Sequence, residues 1–291
     1  MAERFRHFLA IDWSGAKGAR QKGIAMALAD AAGGPPVLVD HRWSRDDVLH
    51  ILQEELPADT LVGLDLGIAL PHADCGAFFP GWPATPPDAP ALWQMIDRLA
   101  GGEPNLGANS FVAHPDLRPY FRDGTETGAF FGCDGAAHGR GRFRVTERAQ
   151  AAMGCKPYSN FNLVGAAQVG KSSLTGMRML HRLRGRLPVW PVDPLPRTGS
   201  VIVEIYTSLA ALEAGRAPGK AKMRSYAALN DALAALGSPP VDYAGDVDDH
   251  ATDALLTSAW LRKVAGEPHR WQPRGLTPSI ARTEGWTFGA L

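Results

Sequence analysis

No stretch of the 291-residue chain stays apolar for the roughly 18 residues that a membrane-crossing helix requires, so the sequence offers no candidate span. The first residues, Met1-Ala2-Glu3-Arg4-Phe5-Arg6-His7, lead straight into a strand-like run and lack the layout of a signal peptide. Cysteine is scarce: Cys75, Cys133 and Cys155 are odd in number and share no Cys-x-x-Cys spacing. That excludes a disulfide scaffold and fits a reducing cytoplasm, the expected location. No Gly-x-Ser-x-Gly elbow occurs, which removes support for a Ser-His-Asp hydrolase. Net charge is also missing, with 30 basic residues against 30 acidic ones. What is present, 45% apolar and 21% charged residues, is the composition of a soluble globular protein with one elaborated domain.

The neutral total hides an asymmetry. Between His138 and Arg186 stand ten basic residues: Arg140, Arg142, Arg144, Arg148, Lys156, Lys171, Arg178, Arg182, Arg184 and Arg186. Glu147 is the one acid there, so the segment carries +9 and the remainder −9. A basic segment in a neutral chain points to a polyanionic partner, nucleic acid or phosphate, with scattered solvated arginines as the plain alternative.

The run Phe5 to Trp13 alternates as a strand does and ends near Asp12. Ile24–Ala29 and Val37–Trp43 read as two further strands, joined by Gly33-Gly34-Pro35-Pro36 into an antiparallel hairpin. Ser44, with Asp47 three residues on, starts a helix whose face is Val48, Ile51, Leu52 and Leu56, and Pro57 ends it. Leu61–Leu66 is then a buried strand, parallel to the first because a helical crossover joins them. Three strands in meander, a helix and a fourth strand beside the first make the opening of the ribonuclease H-like fold. We therefore expect an α/β protein with an RNase H-like mixed five-stranded sheet flanked by helices. Residues 1–69 and 199–291 form the expected core. Residues 70–198 form a basic, partly helical insertion after the fourth strand. Leu187–Pro196 returns the chain as an extended, proline-stiffened segment. Val201–Tyr206 is a strand containing Glu204, Met223–Leu236 a helix ended by Gly237, and Gly285–Gly289 a terminal strand or plug.

Acids gather in this core. Asp12 and Asp65 fall near the same end of adjacent strands, where an acid must be solvated, hydrogen-bonded or bound to a cation. Side by side they repel, and a divalent cation is the natural compensation. The segment Asp248-Asp249-His250-Ala251-Thr252-Asp253 opens a helix that Gly266-Glu267-Pro268 stops. Asp248 and Asp249 suit a helix N-terminus, whereas Asp253 lies a turn further in, four residues from Asp249 and three from His250. The candidate metal-ligating set is Asp12, Asp65, Glu204, Asp249 and Asp253, for Mg²⁺ or Mn²⁺. Glu204 has pairing with an arginine as its alternative.

Several of these segments resemble an uncharacterised family of predicted RNase H-like nucleases: Ile11-Asp12-Trp13-Ser14-Gly15, Val62 to Pro71, Val203-Glu204-Ile205-Tyr206, Asp248 to Ala254 and Glu284-Gly285-Trp286. Val164 to Gly170 and Val189 to Asp193 are similar to it as well, so the resemblance covers most of the chain. His250-x-x-Asp253-Ala254 is also similar to the last helix of RuvC-like nucleases, where the final Asp binds metal and the preceding His assists. The resemblance implies a metal-dependent nuclease with Asp12, Asp65 and Asp253 as ligands. His250 would be a proton carrier or metal neighbour, and nucleic acid would be held through the basic segment 138–186.

Other readings compete. Gly165-Ala166-Ala167-Gln168-Val169-Gly170-Lys171-Ser172 matches the P-loop pattern, in which Gly165, Gly170, Lys171 and Ser172 would hold an NTP phosphate and its Mg²⁺. The match needs a sheet strand before it, and Phe161–Val164 is short and polar. Asp12-Trp13-Ser14-Gly15 and Asp65-Leu66-Gly67 also suit an actin-like ATPase, which needs a second core domain. A zinc site drawing on His72, Cys75, His114, Cys133 or His138 matches no standard spacing. A non-catalytic nucleic-acid or phosphate-binding protein of the same fold is the remaining alternative.

Overall fold

The chain from Phe8 to Ile11 alternates between two buried faces and forms the central strand β1 (His7–Asp12). The computed structural model describes residues 4–132, 140–165, 168–218 and 222–291. Strand β2 (Ala25–Asp30) pairs antiparallel with β1, and β3 (Val37–Leu38) pairs antiparallel with β2. The third strand is shorter than the expected Val37–Trp43. After Leu38 the chain makes one more bond, Val39 N–H to Met26 O at 2.8 Å, and leaves the sheet for the helix cap.

Helix α1 (Arg45–His50) starts at Ser44 through a reciprocal capping box with Asp47. It continues as a π turn over Ile51–Glu55 and stops before Pro57, which has no N–H to donate. Strand β4 (Thr60–Asp65) follows, parallel to β1 and in register with it from His7↔Thr60 to Asp12↔Asp65.

Then come α2 (Ala89–Leu99), capped by Asp88, and the short α3 (Asn109–Ala113). A small hairpin of β5 (Arg122–Asp123) and β6 (Glu126–Thr127) precedes α4 (Val145–Ala152) and α5 (Val169–Leu183). Strand β7 (Val189–Trp190) and strand β8 (Val201–Glu204) return to the sheet. The remainder is helical: α6 (Thr207–Glu213), α7 (Tyr226–Ala235), α8 (Asp249–Val264), α9 (Pro268–Trp271) and α10 (Pro278–Thr283).

The sheet has six strands in the order β3-β2-β1-β4-β8-β7, mixed in direction and flanked by helices, where five strands were expected. The sixth is β7, parallel to β8 through Val189↔Ile202 and Trp190↔Val203. Pro188, Pro191 and Pro194 discourage a strand assignment here. Yet they flank the two paired residues, and an edge strand tolerates proline there. Segment 70–198 is thus woven into the sheet at one edge, and residues such as Leu174 and Met177 of α5 share a core with Leu9, Ile11, Val62 and Leu64.

Strand parity sorts the two faces. Leu9, Ile11, Val62, Leu64 and Ile202 pack with α1, α2 and α5. Phe8, Ala10, Leu61, Val201 and Val203 pack with α6, α7 and α8. Buried on both faces, β1, β4 and β8 are near-continuous apolar runs, as parallel strands are. Each fully buried aliphatic side chain contributes about 1.5–3 kcal/mol. Helix α8 crosses β1 and β2 closely and reaches β4 at Gly63. A Cβ at Gly63 would meet Leu261 Cδ1 at 2.9 Å and Ile205 Cγ2 at 2.8 Å. The C-terminal Trp286 and Phe288 are buried as a plug, and Phe288 N–H donates to Glu204 O at 2.8 Å. Among the described residues no helix is long and apolar enough to cross a membrane.

Candidate functional site

Asp12 and Asp65 end β1 and β4 as register partners. Period-two alternation puts Asp12 on the face of Phe8 and Ala10, and Asp65 on the face of Leu61 and Gly63, so both carboxylates lie on the α8 side. α8 begins with Asp248, whose Oδ1 accepts from His250 N–H at 2.9 Å and caps the first turn. That cap sets the turn from which His250 and Asp253 project towards the strand ends. His250 Nδ1 meets Asp12 Oδ2 at 2.8 Å, a distance at which the ring N–H donates to the carboxylate. Thr207, at the start of α6, donates to Asp65 Oδ2 at 3.2 Å.

The charges here are poorly compensated. Among the described residues no lysine or arginine forms an ion pair with Asp12, Asp65 or Asp253, and His250 alone pairs with Asp12. Burial pushes the Asp12 carboxyl above its ordinary range, against the lowering effect of the His250 hydrogen bond. Asp65 is pushed well up, first by burial and then by the charges of Asp12 and Asp253. Asp253 is pushed up to about 7 by burial and by Asp12. His250 is raised because its proton is held by the Asp12 carboxylate. Three carboxylates thus act on one another in a half-enclosed place, the setting in which a divalent cation is most favourable.

The other two candidate ligands are engaged by basic partners, although Glu204 also lines the carboxylate cleft and adds to the upward push on Asp65. Glu204 lies on the opposite sheet face, paired in register with Leu64. Both its oxygens are engaged: Arg144 Nη2 donates to Oε1 at 2.6 Å, and Arg144 Nη1 and Ile68 N–H donate to Oε2 at 2.8 Å each. Thr287 Oγ1 also donates to Oε1. Of its two expected roles, the arginine pair is the one seen, and the cause is strand parity. Asp249 forms an ion pair with Lys222 at 2.5 Å on the rim, and its pKa is lowered by that lysine. Arg144 is fully buried between Glu147 and Glu204 and donates as well to Glu284 O at 3.0 Å. The network ties α4, β8 and the C-terminal plug behind the carboxylate cleft.

Much of the basic segment is likewise tied up. Arg142 pairs with Asp74 at 2.6 Å, Arg178 with Asp97 at 2.9 Å, Arg182 with Asp97 at 3.4 Å and Arg186 with Glu54 at 2.7 Å. Arg142, Arg144 and Arg178 are buried. Arg140, Arg148, Lys156 and Arg184 remain exposed.

In the P-loop-like stretch, Ala166 and Ala167 lie outside the described residues. Phe161–Val164 supplies no strand of the six-stranded sheet; its ladder is the single bridge Arg122↔Asn162. Gly165 has a positive φ of 82°, and Gly170 is packed against Asn160 O in the first turn of α5. The sheet strand on which a P-loop is mounted is therefore lacking, and Lys171 and Ser172 instead face two cavities beside Gly15. A Cβ at Gly15 would sit 2.4 Å from Lys171 C and Ser172 N, so the loop after β1 rests directly on α5.

A cleft of about 480 Å³ is lined by Asp12, Asp65, His250, Ser172, Tyr158 and Tyr206. Tyr158 is exposed at its rim, with the Arg140 guanidinium 5.9 Å from its ring centre. Thr207, Lys222 and Tyr158 escape sequence reasoning, and Arg144 enters it only as one member of the basic segment. None carries a motif, and only the folded chain brings them to the acids. Of the zinc candidates, Cys133 and His138 lie outside the described residues. Among the described residues no group of three or more His, Cys, Asp or Glu side chains forms a ready metal cage. Hard oxygen donors in a pair still suit Mg²⁺ or Mn²⁺: Mg²⁺ is commonly held by one or two carboxylates plus water and substrate phosphate. In comparisons with family models, curated proteins and solved structures, no match to the chain was found.

Proposed function

We propose that the chain is a metal-dependent phosphodiesterase of RNase H-like fold acting on nucleic acid. The observation that carries this reading is the register pair Asp12↔Asp65, a buried and a half-buried carboxylate on one sheet face with no lysine or arginine partner among the described residues. The meander of β3, β2 and β1 followed by parallel β4 and β8 supports the fold assignment. Asp12 and Asp65 would hold Mg²⁺ or Mn²⁺, with Asp253 as the neighbouring third carboxylate. Bound there, the cation supplies a nucleophilic water and charge stabilisation for the leaving oxygen.

The chain's own groups have definable tasks. His250 holds a proton against Asp12 Oδ2 and keeps that carboxylate oriented and more acidic than burial alone allows. Thr207 fixes one oxygen of Asp65. The Arg144 network satisfies Glu147 and Glu204 and holds the wall of the cleft, so Glu204 acts as scaffold. Tyr158, exposed beside Arg140, offers a surface on which a base can stack.

The test is incubation with labelled RNA, DNA, hybrid and branched substrates in Mg²⁺ or Mn²⁺. Wild type is expected to cleave one class, and Asp12→Asn or Asp65→Asn to reduce the rate at least about a hundredfold. Absence of cleavage on every substrate overturns the enzymatic reading. Cleavage indifferent to both substitutions overturns the site.

A further inference from the structure

A second and larger cavity, of about 970 Å³, lies next to the carboxylate cleft and shares Gly15 and Ala16 with it. Trp13 and Thr175 are tied across the boundary by Trp13 Nε1–H donating to Thr175 Oγ1 at 3.0 Å. The two cavities are therefore compartments of one trough, divided by the loop after β1 where it rests on α5.

The larger compartment has a distinct chemistry. Val112, Phe121, Leu163 and Leu174 give it apolar walls. Four cations border it: Arg118 pairs with Glu126, while Lys17, Arg45 and Lys171 form no ion pair with a carboxylate among the described residues. Arg45 is the telling one. Only 2% exposed, its guanidinium bonds among the described residues to backbone carbonyls alone: Nε to Ser14 O at 2.9 Å, Nη1 to Asn105 O at 2.6 Å and Nη2 to Ala16 O at 2.5 Å. A buried cation ordinarily has an anionic partner. Burial without one brings the Arg45 pKa down to about 10. The acids on the same wall are mostly engaged: Glu103 accepts from Asn109 and Ser110, and Glu126 pairs with Arg118. Asp123 stands out at the exposed tip of the β5–β6 hairpin.

An anion with an apolar, flat body suits such a place, and the carboxylate compartment beside it repels anions unless a cation is present. We infer that the larger compartment is a subsite for one nucleotide of a single strand, its phosphate drawn to Lys171, Lys17 and the fixed charge of Arg45 and its base against Phe121 and Val112. The identity of the ligand rests on the nuclease reading, because the neighbouring phosphodiester would then lie at Asp12 and Asp65. A single strand is specified because α3 and the β5–β6 hairpin wall the cavity, so a base must be splayed out of its stack to enter.

The test is binding without catalysis. Adenosine and uridine 5′-monophosphates, and a trinucleotide carrying 2-aminopurine, are titrated into the full chain in EDTA and followed by calorimetry and fluorescence. Wild type is expected to bind saturably. Lys171→Ala should weaken binding about tenfold or more. Val112→Trp, which sets an indole against the wall where the base would lie, should weaken it about tenfold or more, with Ala113→Leu as the second variant if Val112→Trp does not melt cooperatively. No binding by wild type, or binding that neither Val112→Trp nor Ala113→Leu reduces, overturns the inference. Binding that Lys171→Ala leaves unchanged also overturns it. Cleavage without mononucleotide binding removes this subsite alone, while binding without cleavage on any substrate removes the nuclease reading and leaves the subsite.

Discussion

Asp253→Asn is the most direct probe of the carboxylate cluster, because its stabilising effect is expected to shrink with metal. In the folded chain Asp253 is raised from 3.8 to about 7, chiefly by burial and next by Asp12. The folded state therefore holds this proton more tightly than the unfolded state between those values. Stability contributed by the protonated form is complete below the unfolded pKa and is lost as pH rises through the folded one. With about 1.4 kcal/mol for each tenfold change in the proton equilibrium, the gap is worth about 4 kcal/mol in a rigid site and about 2 kcal/mol in one that relaxes. Asparagine keeps the shape and removes the charge. At pH 8 and without metal, Asp253→Asn should stabilise the protein by about 2–4 kcal/mol, raising Tm by at least about 4 °C. At pH 4, where the wild-type group is largely protonated in the folded state, the gain should nearly vanish. With Mn²⁺ at about a hundredfold excess over Kd, wild type should gain about 2.7 kcal/mol, and the variant should gain much less. Differential scanning fluorimetry at both pH values, with and without Mn²⁺, reads all of these. A metal-free variant that melts lower than wild type at pH 8 refutes the account of Asp253 as an uncompensated charge. An undiminished Mn²⁺ shift refutes its place beside the metal.

Arg144→Met should cost about 3–5 kcal/mol in urea unfolding, because Glu147 and Glu204 lose their shared buried partner. Glu204→Gln, by contrast, should keep the Mn²⁺-induced shift in Tm, and losing that shift would make Glu204 a ligand after all. His250→Gln removes the hydrogen bond that lowers the Asp12 pKa, so Asp12 should keep its proton to higher pH. Mn²⁺ affinity by calorimetry should then fall more at the acidic end of a pH series than at its basic end, and an equal fall across the series would remove His250 from this role. Gly15→Ala forces a Cβ to within 2.4 Å of the Lys171 and Ser172 backbone and should cost about 1–3 kcal/mol. An unchanged unfolding midpoint would mean that the loop after β1 is not seated on α5.

The order of β1 to β4 and the helix between them are readable from residues alone, since alternation, the Gly33–Pro36 turn and the Ser44–Asp47 box are all local signals. The pairing of Asp12 with Asp65 is readable too, because a helical crossover makes the strands parallel and equal strand lengths bring the two ends level. The placement of Glu204 beside Arg144 was within reach of the same logic. Counting parity along Val201–Glu204 puts it with Ile202, on the face away from α8, but the register with β4 that gives this count meaning exists only in three dimensions. β7 was hidden by prolines that flank its two paired residues. α6 was hidden by the brevity of its seven residues, Thr207–Glu213.

The basic segment is where composition misleads most. A local excess of arginine says nothing about counter-ions contributed from elsewhere, and here Asp74, Asp97, Glu54 and Glu204 arrive from outside the segment to neutralise Arg142, Arg178, Arg186 and Arg144. What such a segment offers a polyanion is the residue left after internal pairing, and that residue is small and scattered over Arg140, Arg148, Lys156, Lys171 and Arg184. The cation that stands out after the same subtraction is Arg45, which lies outside the segment and within a sequence rich in ordinary helix signals. Its significance is visible only because its partners are three carbonyl oxygens and no carboxylate. Electrostatic recognition in this protein is therefore better sought where charge is buried and uncompensated, negative at Asp12 and Asp65 and positive at Arg45, than where charged residues are most numerous. The two imbalances lie in adjoining cavities, which is the arrangement that the proposed metal site and the proposed nucleotide subsite would need for one phosphate chain to reach both.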